Sequence, residues 1–341
     1  TTISGITDSS AASGGIISYD GGAAVTARGV VWSTAQNPTV ADAKSADGTG
    51  SGSYASALID LDPGTTYYAR AYATNSVGTA YGQQLSFTTD SILATLTTLT
   101  LSSLTDTSVV TGGNISLDGG SDVLARGVVW STTPNPTILN NKTVDGSGSG
   151  TFNSQVTGLT YETSYYLRAY ATNGVGTAYG NEIYFTTPAG LPVVTTDVVS
   201  EITETTAVSG GTISNDKGSP ISARGVVWST VPNPTLSNNY TTDGTGSGIF
   251  ESEIPGLLAG TKYYVRAYAT NDAGTAYGSQ VSFTTPVSMV LVEGGTYDMG
   301  CTTEQGAACN ADENPAHSVN ISAFYLGTYE VSQSEWQAVM G

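Results

Sequence analysis

Few charged residues, two cysteines and one histidine occur among the 341 residues of the chain. Charged side chains make up 11% of the sequence, against about a quarter in a typical soluble protein, so long polar helices are disfavoured. A single histidine nearly excludes acid–base catalysis by histidine. Because Cys301 and Cys309 are the only cysteines, disulfides cannot support the residues before them.

Basic residues are also scarce, since 10 Lys and Arg stand against 28 Asp and Glu and give a net charge of −18. Such a chain does not bind nucleic acid by neutralising phosphates, and anionic membranes repel it. No run of 18 apolar residues predicts membrane insertion. Thr1 opens in strand-like sequence rather than in a signal peptide, so we expect any export signal to have been removed.

Three copies of one sequence follow each other at a fixed spacing. The phrase ARGVVWST contains Arg28, Arg126 and Arg224, which are separated by 126 − 28 = 98 and 224 − 126 = 98 residues. The phrases RAYATN and GTAYG recur at the same interval. A period near 100 residues fits one complete β-sandwich. We therefore expect repeat 1 over 1–90, repeat 2 over 91–187, repeat 3 over 188–286 and a different domain over 287–341.

Alternating side chains and glycine-rich turns predict an all-β fold for each repeat, because no segment shows a helical period. In repeat 1 the pattern predicts strands over 11–18, 27–33, 53–59, 67–74 and 79–88. The phrase DGTGSG at 47–52 is interpreted as a flexible hairpin turn. One carboxylate among glycines is a poor calcium site, and we expect no cofactor or metal in the repeats.

The segment from Leu61 to Tyr67 resembles the entry to a late strand of fibronectin type III domains. There a tyrosine hydroxyl turns back onto the upstream backbone, a feature called the tyrosine corner. Repeats 2 and 3 place Tyr165 and Tyr263 at this position but lack the preceding proline. The resemblance implies immunoglobulin-like, fibronectin type III-like sandwiches of the kind found in secreted bacterial proteins. It also implies an extracellular or cell-surface location.

A tryptophan strand and a tyrosine–arginine strand are expected to be neighbours in one sheet, so their side chains could form an outward ladder of rings and guanidinium groups. The predicted ladder comprises Trp32, Arg70, Tyr72, Trp130, Arg168, Tyr170, Trp228, Arg266 and Tyr268. Such a ladder either stiffens its own sheet or binds surface glycans or a neighbouring chain. The alternation leaves open that the tryptophans point inward instead.

The repeats differ at their beginnings. Residues 93–98 and 191–196 are predicted to be the first strands of repeats 2 and 3, whereas repeat 1 would need the same segment before Thr1. Two explanations remain open. The chain is a window from a longer protein, or repeat 1 has an open groove that takes a strand from another subunit.

After Pro286 the sequence changes, with MVLVEGGTYDMG from Met289 and FYLGTYEVS from Phe324. These phrases resemble the opening of the formylglycine-generating enzyme family, or sulfatase-modifying factors, which implies a partial α+β segment over 289–341. A short helix is expected over 333–341. The catalytic cysteines of that family lie near the far end of the domain, and nothing here corresponds to them. We expect Cys301 and Cys309 to form a disulfide that closes a short loop, because metal binding would lack a fourth ligand.

These observations favour a non-catalytic structural or adhesive protein, either a surface stalk or a self-associating filament subunit. The alternatives are spacer modules of a secreted formylglycine-generating enzyme and a glycan-binding array.

Overall fold

The computed structural model describes residues 1–299 and 317–327, and all regular elements there are β-strands. The chain divides into two compact units, Thr1–Pro188 and Ala189–Gly341, each of which is described by itself. The all-β fold expected for the repeats is confirmed. The helix predicted over 333–341 lies outside the described residues.

Repeat 1 forms two facing sheets. Its strands are β1 (Ala11–Ile17), β2 (Ala27–Ser33), β3 (Ala43–Lys44), β4 (Gly52–Leu58), β5 (Thr66–Thr74), β6 (Thr79–Tyr81) and β7 (Leu85–Thr88). One sheet pairs β1 with β4, and the other has the order β3-β2-β5-β6 with β7 also on β5. All pairings are antiparallel.

Repeat 2 has the same plan with one more strand. Its strands are β8 (Thr95–Thr98), β9 (Ser108–Leu117), β10 (Ala125–Ser131), β11 (Asn141–Lys142), β12 (Gly150–Thr157), β13 (Ser164–Thr172), β14 (Thr177–Tyr179) and β15 (Ile183–Thr186). The additional strand β8 pairs with β9, which makes a three-stranded sheet of order β12-β9-β8.

Repeat 3 repeats the plan of repeat 2, and four short strands follow it. The strands of the repeat are β16 (Val193–Thr196), β17 (Ala207–Asn215), β18 (Ala223–Ser229), β19 (Asn239–Tyr240), β20 (Gly248–Ile254), β21 (Lys262–Asn271), β22 (Gly274–Tyr277) and β23 (Val281–Thr284). The C-terminal strands are β24 (Met289–Val292), β25 (Gly295–Met299), β26 (His317–Ile321) and β27 (Phe324–Gly327). They pair as β24-β27 and β25-β26.

Each repeat buries its own set of apolar side chains between its two sheets. In repeat 1 this core contains Val30, Trp32, Leu58 and Tyr67. Tyr67 stacks on Phe87 at 5.9 Å between ring centroids, and the equivalent rings stack at 5.8 Å in repeats 2 and 3. Burial of apolar area between the sheets is the main force that holds each sandwich together.

The tyrosine corner is present in all three repeats. The Tyr67 hydroxyl accepts a hydrogen bond from the Asp62 N–H at 3.0 Å, and Tyr165 and Tyr263 make the same contact at the same distance. Threonine closes the turn in each repeat, since Thr65 Oγ1 donates to Pro63 O at 2.9 Å. The equivalent hydroxyls donate to Tyr161 O and Ala259 O, so proline is not required.

Two local expectations are wrong. The last strand of repeat 1 is not continuous over 79–88, because the pairing with β5 shifts register between Tyr81 and Leu85. Residues 47–52 are not a hairpin turn either. They connect β3 in one sheet to β4 in the other, so they cross between the sheets.

Candidate functional site

The tryptophan of each repeat points into the core, so the predicted outward ladder of three residues does not form. Trp32 and Trp228 are each 6% exposed and belong to the apolar cores, and Trp130 is partly buried against its core. The strand register explains this. Trp32 lies opposite Ala69, which shares the core face with Tyr67, whereas Arg70 lies opposite Val31.

The arginine of the ladder stacks instead on a tyrosine from the neighbouring strand. The Arg70 guanidinium lies over the Tyr81 ring at 4.5 Å, and Arg168–Tyr179 and Arg266–Tyr277 repeat the contact at 4.5 and 4.8 Å. Such cation–π contacts contribute about 0.5–1 kcal/mol at exposed sites. The sequence analysis missed this tyrosine, although it stands in the repeated phrase GTAYG.

The same tyrosine hydroxyl holds a loop. Tyr81 accepts a hydrogen bond from the Val40 N–H at 3.0 Å, and Tyr179 and Tyr277 do the same at 3.0 and 3.1 Å. The loop contains the phrase NPT, whose asparagine has a positive φ in every repeat and donates its N–H to a glutamine or glutamate side chain. Both the ring and the hydroxyl of Tyr81 are therefore engaged within the repeat.

The second tyrosine of the predicted ladder is buried. Tyr72, Tyr170 and Tyr268 are 5%, 3% and 2% exposed, and their hydroxyls donate to main-chain carbonyls at 2.8, 2.8 and 2.7 Å. Burial raises the pKa of each of these hydroxyls above its ordinary value, and the nearby Asp47 charge raises the pKa of Tyr72 further. These rings are closed to a ligand.

A second arginine, Arg28, fixes the crossover loop at 47–52. Its Nε donates to Asp47 O at 3.2 Å, and its Nη1 donates to Gly50 O and Ser51 O at 3.1 Å each. Arg126 and Arg224 make the same three contacts. This network stabilises one loop conformation, which the flexible hairpin interpretation did not anticipate.

The crossover loop needs its glycines for conformation rather than for space. Gly48, Gly50 and Gly52 have φ of 94°, 77° and 98°, and a Cβ at any of them would meet nothing within 4 Å. The Asp47 carboxylate faces inward, where it accepts hydrogen bonds from Ser45 and Ser56 hydroxyls. Both the loop and its carboxylate thus act within the fold.

Neither a cluster of metal-binding side chains nor a membrane-spanning helix occurs in the described parts of the chain. Over residues 1–299 and 317–327, no three His, Cys, Asp or Glu side chains gather in a way that could hold a metal ion. In the same residues, no helix has the length and hydropathy to span a bilayer. Cys301 and Cys309 lie outside the described residues, so their predicted disulfide stays a prediction.

In the C-terminal strands, Ser318 Oγ donates a hydrogen bond to Asp298 Oδ1 at 2.6 Å. His317 is exposed at the start of β26, opposite Met299. The strands from Met289 to Val292 and from Phe324 to Gly327 pair with each other and expose much of their apolar surface.

Residues 277–341 match the family model of the sulfatase-modifying factor enzyme 1-like domain. The family resemblance of the C-terminal residues is thereby confirmed, and the match begins within repeat 3. No curated protein matches the chain. Among solved structures, the FN1–FN3 domains of chicken CNTN1 are similar at 13% identity, with 84% of this chain and 97% of that chain covered and a TM-score of 0.34.

Proposed function

We propose that repeats 1–3 are an extracellular structural array, a stalk that spaces the C-terminal domain from whatever the protein is attached to. One observation carries this proposal: the polar side chains that recur at the 98-residue interval are used inside each repeat. Arg28 holds the crossover loop, the Tyr81 hydroxyl holds the loop that contains Val40, and Arg70 stacks on the Tyr81 ring and donates to Gly82 O. Selection for stable repeats is enough to explain why these side chains recur, and no selection for ligand binding is needed.

Contacts between repeats 1 and 2 support a load-bearing role. At the junction, the first residues of repeat 2 are fixed to the rest of that repeat: Ile92 donates its N–H to Gly119 O at 2.8 Å, and Ser91 Oγ donates to Gly120 O at 2.9 Å. Gly64 of repeat 1 lies so close to Gly120 of repeat 2 that a Cβ on Gly64 would stand 2.0 Å from the Gly120 carbonyl oxygen. This junction is packed through backbone atoms, which limits bending between the two repeats.

Small-angle X-ray scattering tests the spacer role. Deletion of residues 91–188, one 98-residue period, should shorten the maximum dimension by roughly 30 Å, because a nine-residue strand rises about 3.3 Å per residue. Insertion of a second copy of the same residues should lengthen it by the same amount. An unchanged dimension in both variants would contradict a linear spacer.

The extracellular location is tested on intact cells of the source organism. Added protease should cleave the protein while a cytoplasmic marker stays intact. Protection of the repeats until the cells are lysed would overturn this part of the proposal.

An enzyme with spacer repeats is the second candidate, and the match at 277–341 favours it. We expect residues 1–341 alone to carry no catalytic function, since the family's catalytic cysteines have no counterpart here. Incubation with a sulfatase-derived cysteine peptide, followed by mass spectrometry, checks this. Conversion of the cysteine to formylglycine would establish the enzyme instead.

Glycan binding has less support in the geometry. Of the nine residues in the predicted ladder, the tryptophans line the cores and Tyr72 with its equivalents is buried. If the protein bound glycans on an array and Arg70→Ala abolished this binding, the glycan-binding hypothesis would be supported. Self-association into filaments is tested by electron microscopy at increasing protein concentration, and rods of constant length would exclude it.

A further inference from the structure

Repeat 2 has an open edge strand that carries no charge. β12 pairs with β9 on one side, and within residues 1–299 and 317–327 no strand pairs with its other side. An open edge presents main-chain N–H and C=O groups to any further strand, so natural proteins commonly protect it with charged side chains. The open side of β12 lacks this protection, since its sequence GTFNSQVT contains no Asp, Glu, Lys or Arg.

The pairing of β9 shows which residues of β12 turn their main chain to the open side. Val110 exchanges both main-chain hydrogen bonds with Ser102 at 2.8 and 2.9 Å, so its N–H and C=O point away from β12. Because these groups alternate along a strand, those of Thr111 point toward β12, where Thr111 lies opposite Ser154. The residues on either side of Ser154 therefore face the open side. We define the β12 edge by the four residues that do so, Thr151, Asn153, Gln155 and Thr157.

The equivalent strand of repeat 3 carries the charges that the β12 edge lacks. At the 98-residue interval, Asn153 and Gln155 are replaced by Glu251 and Glu253, and both glutamates are exposed on β20. Their main chain faces the open side of β20 in the same way, because Val208 and its neighbours repeat the pairing pattern of β9. Charge thus protects this edge in repeat 3 and not in repeat 2.

No charge reaches the β12 edge from its own sheet. The strands β8, β9 and β12 contain no charged residue. Asp145, in the loop that leads into β12, turns its carboxylate inward, where it accepts hydrogen bonds from the Thr143 hydroxyl at 2.7 Å and from the Ser154 hydroxyl. In a chain with a net charge of −18, two copies repel each other, and an uncharged sheet is a place where this repulsion is weak.

The corresponding strand of repeat 1, β4, is also uncharged but offers less to a partner. Its exposed positions are Ser53, Ala55 and Ala57, and two of these side chains have no polar group. β12 is one residue longer, and every residue of the β12 edge has a hydroxyl or an amide. Such side chains pair well with their own kind across two strands.

We propose that the β12 edge pairs with the β12 edge of a second copy of this chain, antiparallel and with a twofold axis at Ser154. In this register Thr151 lies opposite Thr157 of the second copy, and Asn153 lies opposite Gln155. Each of these pairs exchanges both main-chain hydrogen bonds, and the side chains form hydroxyl and amide pairs. The same surface is used on both copies, as a twofold contact requires. The inference goes beyond the proposed spacer role, to which it adds a partner.

Hydrogen exchange at increasing concentrations of the full chain tests the pairing at its own atoms. The amides of Asn153 and Gln155 should exchange about tenfold more slowly at high concentration, because each then donates to the second copy. The amides of Glu251 and Glu253 should not change. Sedimentation equilibrium should show monomers and dimers. Monomers at every concentration, or dimers in which the amides of the β12 edge exchange unchanged, would overturn the proposal.

A charged variant tests the contact with a matched control. Asn153→Glu with Gln155→Glu should stay folded, because repeat 3 has glutamates at these positions of the same fold. Its dimer should dissociate about tenfold more readily, because carboxylates of the two copies then face each other.

The control is Thr97→Glu with Ser116→Glu, which adds the same charge at exposed positions of the same sheet away from β12. It should leave the dissociation constant within about twofold. If the two double variants weakened the dimer equally, or if neither did, the contact would not be the β12 edge and the proposal would be wrong. Deletion of residues 91–188 in the scattering test removes β12 altogether, so the spacer role and this pairing can fail independently.

Discussion

Replacing Thr98 with valine isolates the hydroxyl that joins the two sheets of repeat 2. Thr98 is 8% exposed, and valine has nearly the same shape, so the packing volume is preserved. The change leaves the buried Ala169 N–H and Asn181 O without their partner. An unsatisfied buried polar group costs about 1–3 kcal/mol, which corresponds to about a 5- to 150-fold rise in the population of the locally open state.

Hydrogen exchange measures this opening at the affected site. The amide of Ala169 should exchange faster by that factor in Thr98→Val, while Ala267 of repeat 3, which bonds to Thr196, should be unchanged. A site-resolved measurement is needed because a chain of several domains does not unfold in one two-state transition.

The exposed neighbour Thr97 supplies the control for the loss of a threonine hydroxyl as such. Thr97→Val should leave the exchange of Ala169 unchanged. If Thr98→Val changed that exchange by less than about twofold, the hydroxyl of Thr98 would not stabilise the contact between the two sheets of repeat 2.

Three further changes test the contacts inside the repeats. Tyr67→Phe removes the hydrogen bond to the backbone N–H of Asp62 and should destabilise repeat 1 by about 1 kcal/mol, measured by hydrogen exchange of the amides of repeat 1. Replacement of the exposed Tyr19 by Phe should leave that exchange unchanged. Gly50→Ala strains a positive φ and should cost about 1 kcal/mol, whereas Gly78→Ala, in equally open space without a positive φ, should be tolerated. Burial raises the pKa of the Tyr170 hydroxyl above 10.0. The stability that this neutral hydroxyl contributes is therefore complete below pH 10 and is lost as the pH rises through the folded-state pKa. In Tyr170→Phe, the melting temperature should fall less steeply with pH in the alkaline range.

The number of repeats could be predicted because the same phrases recur at 98-residue intervals, and most strands could be predicted because they rest on patterns within one copy. The strand predicted over 27–33 has those limits in the structure, and the one predicted over 67–74 begins one residue earlier. Turn glycines and alternating apolar residues set these limits locally. The first strands of repeats 2 and 3 are found for the same reason.

The orientation of Trp32 could not be predicted, because alternation within a strand separates two faces without saying which one is inside. Here the answer depends on the register between β2 and β5, which places Trp32 opposite Ala69. A shift of one residue would have sent the ring to the other face. The prediction of an outward ladder was wrong because the pairing between distant strands decides which face is inside; the alternation along each strand was not the cause of the error.

The prediction of a hairpin turn at residues 47–52 was wrong for a related reason. The phrase DGTGSG between two strands suits a hairpin locally, and only the sheet to which each flanking strand belongs shows that it is a crossover. The contacts of Arg28 with Gly50 and Ser51 span 22 and 23 residues, so they cannot be predicted from a local sequence pattern.

Hydroxyl groups explain how a chain with so few charges is held together. Thr74 and Thr79 join neighbouring strands through their hydroxyls at 2.8 Å, and both equivalent pairs have the same separation. Thr89 Oγ1 donates to Asp62 O at 2.6 Å beneath the tyrosine corner. Among the described residues, no buried side-chain nitrogen or oxygen lacks a hydrogen-bond partner. These neutral contacts do not depend on charge. The repeats can therefore combine a stable fold with the net charge of −18, which opposes non-specific association.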